Sequence, residues 1–194
     1  MLLLASQSPR RKALLTELGT PFITLNVDID ETHRHDEGSE DYVLRLAREK
    51  AQAGLSRQKD CIWSLGADTI VVAQSNNQSH ILGKPKDYDD ARRMWKLLSH
   101  QPHKVLTAVA IASETSIIDC LVDTQVWFCD LSEDRMLWYW NTGEPHDKAG
   151  GYGIQGLAGQ FVKQIKGSFS AVVGLPLYET RELMKQAGII QNER

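Results

Sequence analysis

Residues 2–11 read LLLASQSPRR and join a short apolar run to the start of a helix. Leu2 to Ala5 have the composition of a short buried strand. Ser8 can cap a helix through its side-chain oxygen, and Pro9 suits the first helical position. A strand that leads directly into a helix is typical of layered structures in which helices cover a sheet.

Outward from this stretch, strand-like and helix-like segments mix without strict alternation. Further helix starts are predicted at Ser39, Asp87, Ser132 and Pro176. Two long β-like runs, residues 103–113 and 116–130, predict a hairpin around Glu114-Thr115. The other predicted strands are residues 22–25, 62–65, 70–73, 80–82 and 161–165, with residues 66–69 between two of them and residues 143–160 as one long loop. We therefore predict an α/β or α+β fold around a mixed sheet, in a single domain spanning residues 1–194.

Composition excludes several classes of protein. A formal net charge of −3 over 194 residues does not suggest a general nucleic-acid or membrane-binding surface. The three cysteines are odd in number and lack C-x-x-C spacing, so we interpret them as reduced core thiols. The first residues lack the basic segment of a signal peptide, and no apolar run approaches the ~18 residues of a membrane span. A cytoplasmic location is expected.

The helix start at Ser6-Gln7-Ser8-Pro9-Arg10-Arg11 is the first candidate site. A helix N-terminus offers unpaired backbone N–H groups and the positive end of the helix dipole, which together bind anions. Arg10 and Arg11 could add bidentate contacts to phosphate. Two arginines in a first turn oppose the dipole unless an anion is bound, which favours phosphate binding over an ordinary cap with solvated arginines.

Three further segments carry candidate groups. In Gly66-Ala67-Asp68-Thr69, Asp68 is either a turn former or a buried carboxylate with a chemical role. Gly83-Lys84-Pro85 places a lysine in a turn, where it would usually be solvated. Residues 143–156 (GEPHDKAGGYGIQG) contain many glycines, which allow a backbone to approach a ligand closely. Lys50 is an unexpected cation on the apolar face of the second predicted helix.

Other phosphate and metal motifs are excluded by their context. Gly151-x-Gly153-x-x-Gly156 matches a dinucleotide fingerprint, but a polar loop precedes it and a β-like run follows it. The sequence has no Walker A motif and no zinc-hydrolase histidine spacing. Several cations and several isolated carboxylates together suit a metal-assisted phosphate ester site. The cations are Arg10, Arg11, Lys50 and Lys84, and the carboxylates are Glu31, Asp68 and Asp147.

Taken in order, these segments resemble the Maf family of nucleotide pyrophosphatases over roughly residues 2–188. The matching segments are ASQSPRR (5–11), LAREKA (46–51), GADT (66–69), GKP (83–85), DKAGGYGIQG (147–156), and Gly167-Ser168 through Leu177. The resemblance implies a mixed α/β sheet with two lobes around a deep cleft, related to inosine triphosphate pyrophosphatases. It also implies hydrolysis of a nucleoside triphosphate to monophosphate and pyrophosphate with a divalent cation, Mg²⁺ or Mn²⁺.

The resemblance also assigns residue roles. Asp68 matches the proton acceptor that activates water, and Glu31 matches a required carboxylate, interpreted as a metal ligand. The residues that match the phosphate side are Ser8, Arg10, Arg11, Lys50 and Lys84.

Arg10, Thr69 and Gln155 match the dTTP/UTP branch of the family, whereas the 7-methyl-GTP branch tends to have Trp, Gln and Glu. A glutamine amide can pair with the N3–H donor and O4 acceptor of uracil or thymine, whereas the two adjacent donors of guanine suit a carboxylate.

Several alternatives stay open from the sequence. The chain could be a non-catalytic nucleotide-binding regulator of septum formation, a 7-methyl-GTP pyrophosphatase, or a phosphatase that releases phosphate stepwise. The loop at residues 74–79 is longer than is usual in the family and could alter a cleft rim or a subunit contact. Whether the chain is a monomer or a homodimer is not decided.

Overall fold

The computed structural model describes residues 1–75, 78–99 and 101–191. Its strands are β1 (Leu2–Leu4), β2 (Phe22–Thr24), β3 (Trp63–Ser75), β4 (Gln78–Leu82), β5 (His103–Ala112), β6 (Ile117–Phe128) and β7 (Val162–Lys166). Its α-helices are α1 (Pro9–Glu17), α2 (Ser39–Arg57), α3 (Tyr88–Ser99), α4 (Glu133–Asn141), α5 (Phe169–Val173) and α6 (Leu177–Gln186).

The strands form a seven-stranded sheet with the order β2-β1-β3-β5-β6-β7, and β4 pairs with β3. β1 is parallel to both β2 and β3, whereas β4 is antiparallel to β3 and β7 is antiparallel to β6. The sheet is therefore mixed, and the predicted fold class is confirmed.

The chain divides into two compact units, each assembled from separate stretches. The first unit contains Met1–Asp68, Thr107–Val122 and Gly174–Arg194. The second contains Thr69–Leu106 and Asp123–Val173. Since one boundary lies within β3, Asp68 and Thr69 are covalent neighbours assigned to different units.

Each unit has its own buried core. In the first unit, β1 and the apolar faces of α1 and α2 are buried, including Leu3, Leu15 and Ala47. In the second unit, an aromatic cluster occupies the centre. Its rings are those of Trp95, His103, Phe128, Tyr139, Tyr152 and Phe161.

Local signals for helix starts are mostly confirmed. The Ser8 and Ser132 side chains accept hydrogen bonds from the backbone N–H groups of Arg11 and Arg135. Asp87 accepts a hydrogen bond from the Asp90 backbone N–H at the start of α3. For α2 the N-cap is Gly38 rather than Ser39.

Two predicted segments were wrong. Residues 62–65 and 70–73 are not separate strands, because β3 runs without interruption through Gly66-Ala67-Asp68-Thr69. The predicted loop at residues 143–160 contains short 3-10 helices at Glu144–Asp147, Ala149–Gly151 and Leu157–Phe161. Short helix α5 was also not predicted.

Three smaller expectations can be compared with the structure. The β3–β4 hairpin is confirmed up to the pair Ser75 and Gln78, and the apex of the long 74–79 loop, Asn76 and Asn77, lies outside the described residues. All three cysteines are free; Cys61 is buried, and Cys120 and Cys129 are half-buried. In the part of the chain that the structure describes, no helix is both long and apolar enough to cross a membrane.

Candidate active site

Asp68 lies in β3 with 8% of its surface exposed. Its Oδ1 is 2.7 Å from the Nζ of Lys50 on helix α2. The contact depends on close packing of α2 against β3, because a Cβ at Gly66 would overlap the backbone of Ala47 and Ala51. Gly66 and Asp68 are two residues apart, so they share the face of the strand that α2 covers. Asp68 is therefore a buried carboxylate within a strand and not a turn former.

Glu31 is a second carboxylate on the same ammonium group. Its Oε1 also lies 2.7 Å from Lys50 Nζ, although 58% of the Glu31 side chain is exposed. Lys50 therefore bridges Glu31 and Asp68, which are far apart in the sequence. Its unexpected position on an apolar helix face is explained by these two partners.

The segment that carries Glu31 is held against α2 by side chains that sequence reasoning missed. Tyr42 donates its hydroxyl proton to the Glu31 carbonyl at 2.7 Å. Arg45 donates to the Glu37 carboxylate at 2.6 and 2.9 Å and to the Thr32 carbonyl at 3.0 Å. These contacts join a loop to a helix, so no local sequence signal could have revealed them.

The start of α1 combines a helix cap with two cations. Ser8 Oγ accepts a hydrogen bond from the Arg11 backbone N–H at 3.4 Å. Arg11 Nε donates to the Gly174 carbonyl at 2.9 Å, which fixes the direction of its guanidinium group. Arg10 lies beside it in the same first turn, which contains no acidic residue. The capped helix N-terminus and the two arginines of the predicted anion site therefore lie in one helical turn.

Electrostatics link these groups within the first unit. Burial lowers the pKa of Arg11, while the charges of Asp68 and Glu31 act in the opposite direction. Burial raises the pKa of Tyr42, and the same two carboxylates raise it further. Arg11 and Tyr42 therefore experience the charges of both Asp68 and Glu31. The structure brings these carboxylates together with Lys50 and Arg11.

The other predicted residues lie in the second unit. Lys84 is exposed in a turn that the glycine-rich loop contacts, because the Gly150 N–H donates to the Gly83 carbonyl at 2.9 Å. Trp95 Nε1 donates to the Gly151 carbonyl at 3.0 Å and holds the same loop. Gln155 is exposed later in this loop, and Thr69 is half-buried in β3.

The carboxylates fit a hard divalent cation. Oxygens of Glu31 and Asp68 converge on one positive charge, and Mg²⁺ is commonly bound by one or two carboxylates together with substrate phosphates. Among residues 1–75, 78–99 and 101–191, no group of three or more His, Cys, Asp or Glu could hold a metal ion. Water and phosphate oxygens would complete the coordination. Asp147, the third carboxylate named from the sequence, pairs with Lys148 at 2.6 Å in the second unit.

Known proteins resemble this chain over nearly its whole length. A family model described as Maf-like protein matches residues 1–187. A dTTP/UTP pyrophosphatase from Pseudoalteromonas atlantica is 54% identical, covering 97% of this chain and 98% of the relative. Proteins with the same name from Vibrio parahaemolyticus and Escherichia coli are 49% and 48% identical, covering 95% and 100% of this chain and 96% of each relative.

A solved dITP/XTP pyrophosphatase from Mycobacterium abscessus aligns with 66% of this chain and 73% of its own, at 13% identity. Its TM-score of 0.41 is too low to carry a conclusion about fold or function.

Proposed function

We propose that this chain, which belongs to the Maf family, hydrolyses dTTP and UTP to the nucleoside monophosphate and pyrophosphate. Relatives that share about half of its residues over almost their full length carry the name of this activity. The structural observation that carries the proposal is the buried Asp68 carboxylate held by Lys50 and adjoined by Glu31. A protein that only bound nucleotides would not need this arrangement.

In the proposed reaction, Asp68 accepts a proton from the attacking water. The water oxygen forms a bond to the α-phosphorus, and the bond from that phosphorus to the bridging α–β oxygen breaks. Pyrophosphate leaves with the electron pair of that bond. Lys50 holds the carboxylate of Asp68 in one orientation through their 2.7 Å contact. General-base catalysis by a positioned carboxylate typically contributes ~10²–10⁴-fold in rate.

We assign the neutralisation of the substrate's phosphate charge to the cations at the start of α1. The N-terminus of α1, with Arg10 and Arg11, offers a positive dipole end and two guanidinium groups. Arg11 is already oriented by Gly174, so less rearrangement is needed when an anion binds. The family resemblance adds Ser8 and Lys84 to the phosphate contacts.

A divalent cation, Mg²⁺ or Mn²⁺, is proposed as the cofactor. Glu31 would hold it, and it would neutralise phosphate charge and polarise the phosphoryl group. The Glu31 side chain is 58% exposed and shares the Lys50 ammonium with the proposed base, which supports metal binding by Glu31 close to Asp68.

Base selection is assigned to Gln155 together with Arg10 and Thr69, the three positions that match the dTTP/UTP branch. Gln155 is exposed and can present both a donor and an acceptor. A cytoplasmic location is also proposed, since all three cysteines are free.

The test is a panel of nucleoside triphosphates with Mg²⁺ or Mn²⁺, in which every released product is identified. We expect dTTP and UTP to be the preferred substrates and pyrophosphate to be the product. Orthophosphate released stepwise would replace the proposal with a phosphatase. Binding of nucleotides without any turnover would favour the regulator, and a preference for 7-methyl-GTP would assign the other branch.

A further inference from the structure

A partly buried hydrogen-bond network organises the segment that carries Gln155. The Glu144 carboxylate accepts the Tyr139 hydroxyl proton at 2.7 Å and the Leu157 backbone N–H at 2.8 Å. It also accepts the Ala158 backbone N–H at 3.3 Å. Tyr139 itself is fully buried in the aromatic core of the second unit. One carboxylate thus connects α4 to the first turn of the 3-10 helix that begins at Leu157.

The Tyr139 hydroxyl extends this network to the other side of Gln155. Its oxygen accepts a hydrogen bond from the Gly153 backbone N–H at 3.2 Å. Gly153 and Leu157 stand two residues before and two residues after Gln155. The backbone on both sides of Gln155 is therefore tied to the same Tyr139–Glu144 pair.

The local sequence is adapted to this pair. A Cβ at Gly156 would overlap the Glu144 carboxylate, so any other residue there would push the carboxylate out of this position. Lys148 Nζ donates to the Glu144 backbone carbonyl at 2.7 Å and holds the residue from its other end. Glu144, Gly156 and Lys148 together determine where the backbone around Gln155 runs.

The charge state of Glu144 agrees with this arrangement. Burial opposes ionisation, but the hydrogen bonds from Leu157, Tyr139 and Ala158 outweigh it, and the pKa of the carboxyl is lowered. At neutral pH the group is an ionised carboxylate that only accepts hydrogen bonds. All three of its partners are donors, so the match is complete.

We propose that Glu144 is a positioning residue for base selection, acting through Gln155. This inference rests on the proposed function, because it concerns the discrimination between pyrimidine bases at that site. Glu144 does not need to touch the nucleotide. It holds the backbone of residues 153–158 so that the Gln155 amide keeps one direction.

The test replaces Glu144 by its isosteric amide. In Glu144→Gln an NH₂ donor must face either the Leu157 N–H or the Tyr139 hydroxyl and Ala158 N–H, so at least one contact is lost. The probes are non-hydrolysable α,β-imido analogues of dTTP and CTP, whose Kd values are measured by calorimetry. We expect the preference for the dTTP analogue to fall roughly tenfold. Binding of these analogues requires no turnover, so failure of the proposed hydrolysis would be seen separately.

Two variants separate positioning from stability alone. Glu133→Gln, in an exposed ion pair of the same unit, should leave the preference unchanged. In a Gln155→Ala background, Glu144→Gln should change the preference no further, because the group through which it acts is gone. An equal drop in both backgrounds, or a lower Tm with unchanged preference, would overturn the proposal.

Tyr139→Phe tests the same network if Glu144→Gln folds poorly. It removes the hydroxyl that joins Gly153 to Glu144 and leaves the buried ring in place. We expect a smaller loss of preference and faster amide hydrogen exchange at Gly153. Amide exchange at Leu157 and Ala158 should likewise rise in Glu144→Gln. Wild-type exchange at these amides in both variants would contradict the positioning role.

Discussion

At the scale of single residues, Asp68 is the proposed base, and its neutral isostere tests that role. Asp68→Asn keeps the shape of the side chain but cannot accept the proton, so kcat should fall ~10²–10⁴-fold. Binding of a non-hydrolysable dTTP analogue should persist. Steady-state kinetics and calorimetry measure the two effects independently.

A matched control for this change is Asp119→Asn. Asp119 belongs to the same unit and pairs with Arg48 at 2.7 Å near the surface. Exposed ion pairs typically contribute about 1 kcal/mol or less to the free energy of unfolding. This variant should therefore stay folded and retain wild-type kinetics. If Asp68→Asn hydrolyses dTTP within a few-fold of wild type, Asp68 is not the base.

Gln155 is the residue to which base selection is assigned. In Gln155→Glu a carboxylate would face the O4 acceptor of uracil or thymine, and repulsion would replace a hydrogen bond. Sites built on hydrogen bonds reject mismatched partners strongly, so kcat/KM for dTTP and UTP should drop ~10²-fold or more. A full gain for guanine nucleotides should not follow, because Arg10 and Thr69, which the proposal also assigns to pyrimidine selection, are unchanged.

Kinetics on dTTP, UTP, CTP and 7-methyl-GTP measure this change. Gln164→Glu introduces the same charge at an exposed position of β7 and serves as the control. Unchanged pyrimidine kinetics in Gln155→Glu would remove Gln155 from the specificity site.

At the scale of elements, the loop before α2 is held by an ion pair that acid should weaken. The hydrogen bond from Arg45 lowers the pKa of Glu37 from 4.5 to about 2. A lowered carboxyl pKa stabilises the fold above the unfolded value, and this stabilisation is lost as pH falls through the folded value. The free energy of unfolding should therefore decline between pH 4.5 and about 2.

Removing the partner should flatten that decline. In Arg45→Met, Glu37 loses the largest cause of its lowered pKa and keeps only the weaker effect of Arg34, so its contribution to the acid dependence shrinks. Urea unfolding at a series of pH values measures the slope. Lys59→Met removes a positive charge from an exposed position just after the same helix and should keep the wild-type slope. An identical slope in Arg45→Met and wild type would show that this pair does not control the acid response.

The error in β3 also has a cause at this scale. Gly66-Ala67-Asp68-Thr69 contains residue types that favour turns, and this composition predicted an interruption. The strand continues because contacts with helix α2 stabilise the extended backbone at these residues. The α2 backbone occupies the space beside Gly66, and Lys50 neutralises Asp68. Tertiary packing thus overrides the local preference.

For the whole molecule, predictability depends on how far apart the interacting residues are in the sequence. The caps at Ser8 and Ser132 need partners only three residues away, and both were predicted. Lys50 could be identified as unusual on its helix face, but its contacts with Glu31 and Asp68 arise from folding. Glu144 lies within the glycine-rich segment 143–156 that the sequence indicated. Its three hydrogen bonds join different elements, so hydrophobic periodicity could not predict them.

Cation binding can be tested through the stability of the whole chain. A ligand that binds only the folded protein stabilises it by about 2.7 kcal/mol at a concentration of 100 Kd. For a chain of this length, that corresponds to a rise in Tm of roughly 5–10 °C.

An α,β-imido dTTP analogue should raise Tm, and adding Mg²⁺ should raise it further. In Glu31→Gln the Mg²⁺-dependent part should shrink, because a carboxylate ligand is lost, while the metal-free part remains. Glu114→Gln, in the exposed turn after β5, should behave like wild type. If Glu31→Gln retains the full Mg²⁺-dependent rise, Glu31 does not bind the metal, and its role reduces to the ion pair with Lys50.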